Sequence, residues 1–125
     1  MEYKVAVPLA GFEEEEAFVL EKIDNFFSCI KSQNSGIEIR MLSFDALKNL
    51  DFDLPEWFID KLGIKSINDI SIFFIFVLQT PATNSVVNLF APVILNHQNL
   101  TMGQIQLDLN ESGLETLENI IYGNL

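Results

Sequence analysis

Few side chains in this sequence can do chemistry at neutral pH. There is one histidine, His97, and one cysteine, Cys29. Metal ions are held by sets of ligands at set spacings, and His97, in the polar stretch "NHQNLT", has no second histidine or cysteine so placed. It reads as a solvated loop histidine. Cys29 sits in the apolar run "FFSCIKS", where the nearest basic residue is Lys31, and reads as a core thiol rather than a nucleophile. Carboxylates are plentiful and a pair can act as acid and base, but the consecutive glutamates Glu13 to Glu16 point in several directions and read as a solvated face. No phosphate-binding glycine loop, nucleophile elbow or zinc signature is present. The sequence therefore gives no positive support for an enzyme, and neither a cofactor nor a metal is expected.

What remains suits recognition by shape and charge. Gly11 and Phe12 lie where a turn meets the acidic corner of Glu13 and Glu14; Asp51 and Asp53 alternate with Phe52 and Leu54; Asn88 and Asn96 frame the apolar run "NLFAPVILN". These positions are the candidate partner contacts, with plain core packing the alternative for Phe12 and Phe52. Pro92, in the middle of that run, has no N–H to give a sheet ladder and belongs at a strand start, edge or bulge. The run is thus expected to form two short strands or one bulged strand, and bulges recur beside functional sites.

The elements that would position these residues are mostly strands. "YKVAV" alternates, "PLAG" breaks the pattern, and "FEEEEAFVLEKI" leads from the acidic corner into a second strand. "NFFSCIKS" and "IEIRML" flank "QNSG", a hairpin with a four-residue loop. Ser43 could cap a helical turn over "SFDALKNL", and a firmer helix runs through "LPEWFIDKLG", with Pro55 at its start and Gly63 as its C-terminal stop. "ISIFFIFVL" reads as a central strand buried on both faces. Strands in "SVVNLFAPVILN" and "GQIQLD" follow, and the capping box Ser112 to Glu115 predicts a C-terminal helix over about 111–122 with Leu114, Leu117 and Ile121 on one face. The whole predicts one mainly β domain over residues 1–125, a small antiparallel β-barrel-like fold with short capping helices.

Bulk properties narrow the partners. Nearly half the residues are apolar and eleven are phenylalanine, enough for a filled core. The longest apolar run, Ile72 to Leu78, is far shorter than the about 20 residues of a membrane-spanning helix. The first residues lack the basic and apolar regions of a secretory signal, and a lone cysteine allows no internal disulfide, so a cytoplasmic setting is expected. Eighteen acidic against seven basic residues leave a formal charge of −11, and no lysine or arginine follows Lys65. Direct nucleic-acid binding, which depends on cations, is effectively excluded, and an anionic membrane surface is disfavoured. A basic protein is the partner such charge would attract, unless the acid serves solubility alone.

The segment "SVVNLFAPVILN" resembles a pattern of the flagellar assembly factor FliW family, matched by Ser85, Asn88, Leu89, Ala91, Pro92, Val93, Ile94 and Asn96. "LAGFEEEEAFVL" and "LDFDLPEWFIDKLGIKSINDISIFFIFVL" agree in order and spacing, so that the resemblance covers roughly residues 3 to 108. The match departs at Ala10, at "LSF" and at Val86, and beyond Asp108. The resemblance implies a cytoplasmic barrel-like protein that binds the C-terminal region of newly made flagellin. It also implies a second partner, the RNA-binding translational regulator CsrA, antagonised by protein–protein binding so that flagellin level feeds back on flagellin translation. The runner-up reading is a β-barrel that holds a small molecule in its interior.

Overall fold

The computed structural model describes residues 1–43, 54–77, 86–88, 91–106 and 114–116. Among the described residues its strands are β1 (Glu2–Val7), β2 (Ala17–Lys22), β3 (Phe27–Ser32), β4 (Glu38–Ser43), β5 (Ile70–Val77), β6 (Val86–Asn88), β7 (Val93–Asn96), β8 (Thr101–Gln104) and β9 (Leu114–Thr116), with an α-helix, α1 (Glu56–Leu62), and a 3-10 turn (Ile67–Asp69) between β4 and β5. β1 through β5, β7 and β8 pair in a ring that closes a seven-stranded barrel. Six of the seven ladders are antiparallel and the closing one, β1 with β8, is parallel. The fold predicted from sequence is thus found, with one addition that geometry demands. Strands that alternate in direction around an odd-numbered ring must bring two like-directed neighbours together where the ring shuts.

Inward-facing residues fill the barrel: Tyr3, Phe18, Ile30, Ile39, Met41, Phe73, Val93, Leu95 and Met102 form one buried cluster, with Phe12 and Ile75 packed against it. A second cluster lies on the outer face of β5, β7, β8 and β1, where Phe58 and Leu62 of α1 cover Ile94, Ile105, Ile70 and Ile72. The two clusters sandwich β7, all four of whose residues are buried. That burial explains why its sequence is uniformly apolar before Asn96.

Local rules account for most boundaries. Pro55 precedes α1, and Gly63 ends it at φ 63°, ψ 35°, the left-handed conformation for which a side chain is a handicap. The "QNSG" loop closes between β3 and β4 with Gly36 at φ 76°. Pro92 marks a break: Val87 lies opposite Phe76 and Val93 opposite Phe73, so six steps of chain match three of β5. The two short strands expected there are β6 and β7. Lacking an N–H, Pro92 contributes only its carbonyl, which accepts from Ile105 N at 3.1 Å.

Ser43 is the last residue of β4, its N–H donating to Phe26 O at 2.7 Å; the helical turn expected after it falls on residues 44–50, outside those described. One expectation is corrected. Within the tail predicted as a helix, Leu114–Thr116 forms β9, antiparallel to β6. Pairing satisfies the open side of β6, and that tertiary gain outweighs the modest helix propensity of a segment rich in Asn, Ser, Gly and Thr. Leu117 and Ile121 lie outside the described residues.

Barrel closure depends on Gly103. The β1–β8 register slips between Val5 and Val7, and a Cβ at Gly103 would stand 2.8 Å from Val7 Cβ, 3.2 Å from Val7 N and 3.2 Å from Leu62 Cδ1. Two of these neighbours belong to a ladder strand and cannot swing aside. Gly103→Ala is expected to cost about 1–3 kcal/mol in chemical denaturation. An unchanged midpoint would show that β1 and Leu62 yield freely.

Candidate partner-binding surfaces

The acidic corner between β1 and β2 is a built structure. Gly11, at φ 85°, turns its N–H into the Glu13 carboxylate, donating to its two oxygens at 3.0 and 2.8 Å. Phe12 N donates to Leu9 O at 2.9 Å and Glu15 N to Phe12 O at 3.1 Å, while the half-buried Phe12 ring anchors the corner in the barrel. The glutamates are not equivalent. Glu13, Glu14 and Glu16 are exposed, but Glu15 accepts from the hydroxyls of Ser32, at the end of β3, and Ser35, the latter at 2.7 Å. These two hydroxyls, Ser32 first, hold its carboxyl below the usual range. A general acid needs the opposite shift, so the corner is organised as a fixed anionic surface.

Gln104 ties this corner to the Pro92 break. Its Oε1 accepts from Ala10 N at 2.7 Å and its Nε2 donates to Ala91 O at 3.0 Å, joining residues far apart in sequence through one buried amide. Nothing in sequence separates Gln104 from Gln106, two positions on and exposed. Of the candidate contacts, Gly11, Phe12, Glu13 and Glu14 gather at the corner, and Pro92 is buried beside Gln104's partner Ala91. Asn88 ends β6, half-buried. Asn96 lies at the opposite end of β7, wholly buried, its Nδ2 donating to Leu62 O at 2.9 Å and its Oδ1 accepting from Gln98 N at 3.0 Å. Pro92 and Asn96 therefore shape the fold beneath the surface. Asp51, Phe52 and Asp53 lie outside the described residues.

His97 is exposed, as a loop residue should be, yet bracketed. Its Nδ1 meets the Tyr3 hydroxyl at 2.5 Å, its Nε2 meets the Ser71 hydroxyl, and its N–H donates to Asp69 O at 2.8 Å, so it joins β1, β5 and the β7–β8 turn. Cys29 is buried, and burial, followed by Glu21 and Glu38, pushes its thiol up, away from the reactive thiolate. Among the described residues no three His, Cys, Asp or Glu side chains are grouped as metal ligands.

A second surface lies beside α1. Ile59, Ile64, Ile67, Ile70 and Ile72, with Leu54, Lys65 and Ser66, line a groove of about 370 Å³ open to solvent, Ile67 being 76% exposed. Its walls are fixed: Leu62 O accepts from Asn96 Nδ2, Asn99 Nδ2 and Thr101 Oγ1 at 2.9, 2.8 and 3.0 Å, and Ser66 Oγ accepts from Asn68 N at 3.2 Å. A polar hollow of about 580 Å³ lies near the "QNSG" loop, between Glu21, Lys31 and Asn34. Both concavities fall within the roughly 300–1,000 Å³ of small-molecule sites, but they are outside the barrel, whose interior is packed with side chains.

Comparison with known proteins agrees with the sequence resemblance. The family described as FliW protein matches residues 2–117. Flagellar assembly factor FliW 1 of Wolinella succinogenes is 37% identical over 112 residues, covering 89% of this chain and 88% of that protein. Flagellar assembly factor FliW of Sulfurimonas denitrificans is 35% identical over 108 residues, 86% of each, and that of Helicobacter pylori strain G27 is 31% identical over 112 residues, 87% of this chain and 83% of that one. The crystal structure of a flagellar assembly factor FliW superposes with a TM-score of 0.85 over 93% of this chain and 84% of that chain, at 23% identity, and shares the fold.

The Glu15 anchor carries a pH signature. A carboxyl with a lowered folded-state pKa adds stability above its unfolded pKa, and that contribution is lost as pH falls through the folded value. Glu15→Gln and Ser32→Ala should each lower Tm at neutral pH, with the gap to the parent closing on acidification through and below the ordinary carboxylate range. A gap independent of pH would mean that the anchor acts by packing alone.

Proposed function

The chain belongs to the FliW family, and from that membership we propose that it is a flagellar assembly factor of the cytoplasm that works by protein–protein binding. In this reading it holds the C-terminal region of newly made flagellin in a chaperone-like complex and, when flagellin is scarce, binds a CsrA-type translational regulator and lifts its repression of flagellin synthesis. Flagellin and regulator exchange on one acidic barrel, so the level of the exported subunit sets the rate of its own translation. No catalysis is required.

The observation that supports this reading best is the acidic corner. A regulator that binds RNA must carry a basic surface. Glu13, held by Gly11 N–H, and the exposed Glu14 and Glu16 beside it offer it an anionic platform on a chain of net charge −11. Charges presented without freedom to collapse steer a basic partner into contact and raise its association rate. The small-molecule alternative would place a ligand inside the barrel, where Tyr3, Phe18, Met41, Phe73 and Met102 already sit.

Kinetics separate steering from solubility. From about 0.05 to 0.5 M salt the screening length falls from roughly 14 to 4 Å, and the regulator's association rate should fall by about tenfold or more. Glu14→Lys with Glu16→Lys should reproduce that loss at low salt; Glu15 is left alone because it anchors the corner. Flagellin association should change little. A regulator complex indifferent to both salt and charge reversal would make the acid a solubility feature.

A further inference from the structure

The isoleucine groove beside α1 has no part in the electrostatic contact, and its chemistry is different. Five of its lining residues are β-branched isoleucines, stiff at χ1, so the surface is formed before any partner arrives. It is roofed by a helix whose end is clamped and floored by a barrel strand, which leaves little to order on binding. Ile67 is the most exposed large apolar side chain described, so the groove's apolar lining reaches the surface.

Charge selects the occupant. Across this part of an otherwise strongly acidic chain, Lys61 and Lys65 nearly balance Glu56, Asp60 and Asp69, and the charged residue in the groove lining is the cation Lys65. A basic segment gains nothing here that the acidic corner does not offer more strongly. A second copy would bring its own charge of −11 against this one. A hollow of about 370 Å³ admits several aliphatic side chains but not a whole helix, so it fits the projecting stripe of a helix laid across it.

We propose that this groove seats an amphipathic helix with aliphatic residues at i, i+3 or i+4, and i+7 and an acidic residue on the flank that meets Lys65. Resting on the functional reading above, that helix belongs to the C-terminal region of flagellin, which makes the groove the flagellin seat and leaves the acidic corner to the regulator. The two partners then read two different physical properties of one barrel of 125 residues, and they exchange because their bodies, not their seats, exclude each other.

The test measures equilibrium binding of full-length flagellin and of the regulator to the intact chain and to three variants, with sedimentation of the chain alone. Ile67→Glu alters a side chain that is mostly in solvent, and its Tm reports that the fold survives. It should weaken flagellin at least tenfold and leave the regulator unchanged. Lys65→Glu should weaken flagellin several-fold, and Lys65→Arg should retain it. If the parent chain binds flagellin and Ile67→Glu binds it equally, the groove is not the seat, although the functional reading stands. If the parent binds no flagellin, the functional reading fails and takes the occupant with it. Equal loss of both partners, or a dimer that Ile67→Glu converts to monomer, would also overturn the assignment.

Discussion

One carbonyl ties the helical excursion to the barrel. The last C=O groups of a helix have no partner within it, and Leu62 O at the end of α1 is met by Asn96, Asn99 and Thr101, all from β7, β8 and their connecting turn. Each such bond adds about 0.5–1.5 kcal/mol net, and leaving the group buried and unpaired would cost about 1–3. Neighbouring backbone is fitted to the same point. Gly63 is left-handed, and a Cβ there would lie 2.8 Å from Asn99 Nδ2; Leu100 in the turn has φ 58°, uncommon for a residue with a side chain. With α1 fixed, Phe58 and Leu62 are wholly buried, each adding about 1.5–3 kcal/mol, and the outer face of β7 is sealed. The groove exists because the helix cannot swing away from β5.

At the other end of β7 a second polar tie has the complementary task. Gln104 joins Ala10 to Ala91, so the acidic corner and the chain entering β7 are held by one buried side chain. Around these ties the molecule presents two surfaces of opposite kind, an anionic corner stiffened by Glu15 and an apolar groove stiffened by isoleucines and the Leu62 clamp. Steering by charge favours rapid encounter and is screened by salt, whereas burial of an apolar stripe is insensitive to salt and favours long residence. A factor that works as proposed, meeting a regulator and holding flagellin, has use for both.

How far the sequence reveals this depends on the range of each interaction. Gly63, Gly36 and Pro92 announce their structures because backbone constraints act within a few residues, so the end of α1, the β3–β4 loop and the β6–β7 break are all legible. The parallel β1–β8 closure is not written locally at all; it follows from the number of strands in the ring. The tail misleads for the reverse reason, since a local capping box at Ser112 is overruled by the open side of β6. At the surfaces, Gly11 to Glu14 are legible as a corner, but Glu15 looks like its neighbours until Ser32 and Ser35 arrive from another strand. Asn96 reads from sequence as a candidate contact, and its role as a buried clamp on Leu62 O shows only in the fold. The bracing roles of His97 and Gln104 give no signal, because each needs a partner that lies 94 residues away.

The central claim is that flagellin and regulator read different faces of one rigid barrel. Isoleucine methyl NMR tests it most directly, since Ile59, Ile64, Ile67, Ile70 and Ile72 line the groove while Ile23, Ile30, Ile37 and Ile39 lie elsewhere in the barrel and its hairpins. On adding flagellin, the five groove methyls should shift or broaden and the other four should hold still; on adding the regulator, the groove methyls should stay in place. Flagellin-induced shifts concentrated at Ile23, Ile37 and the barrel interior, with a silent groove, would contradict the account.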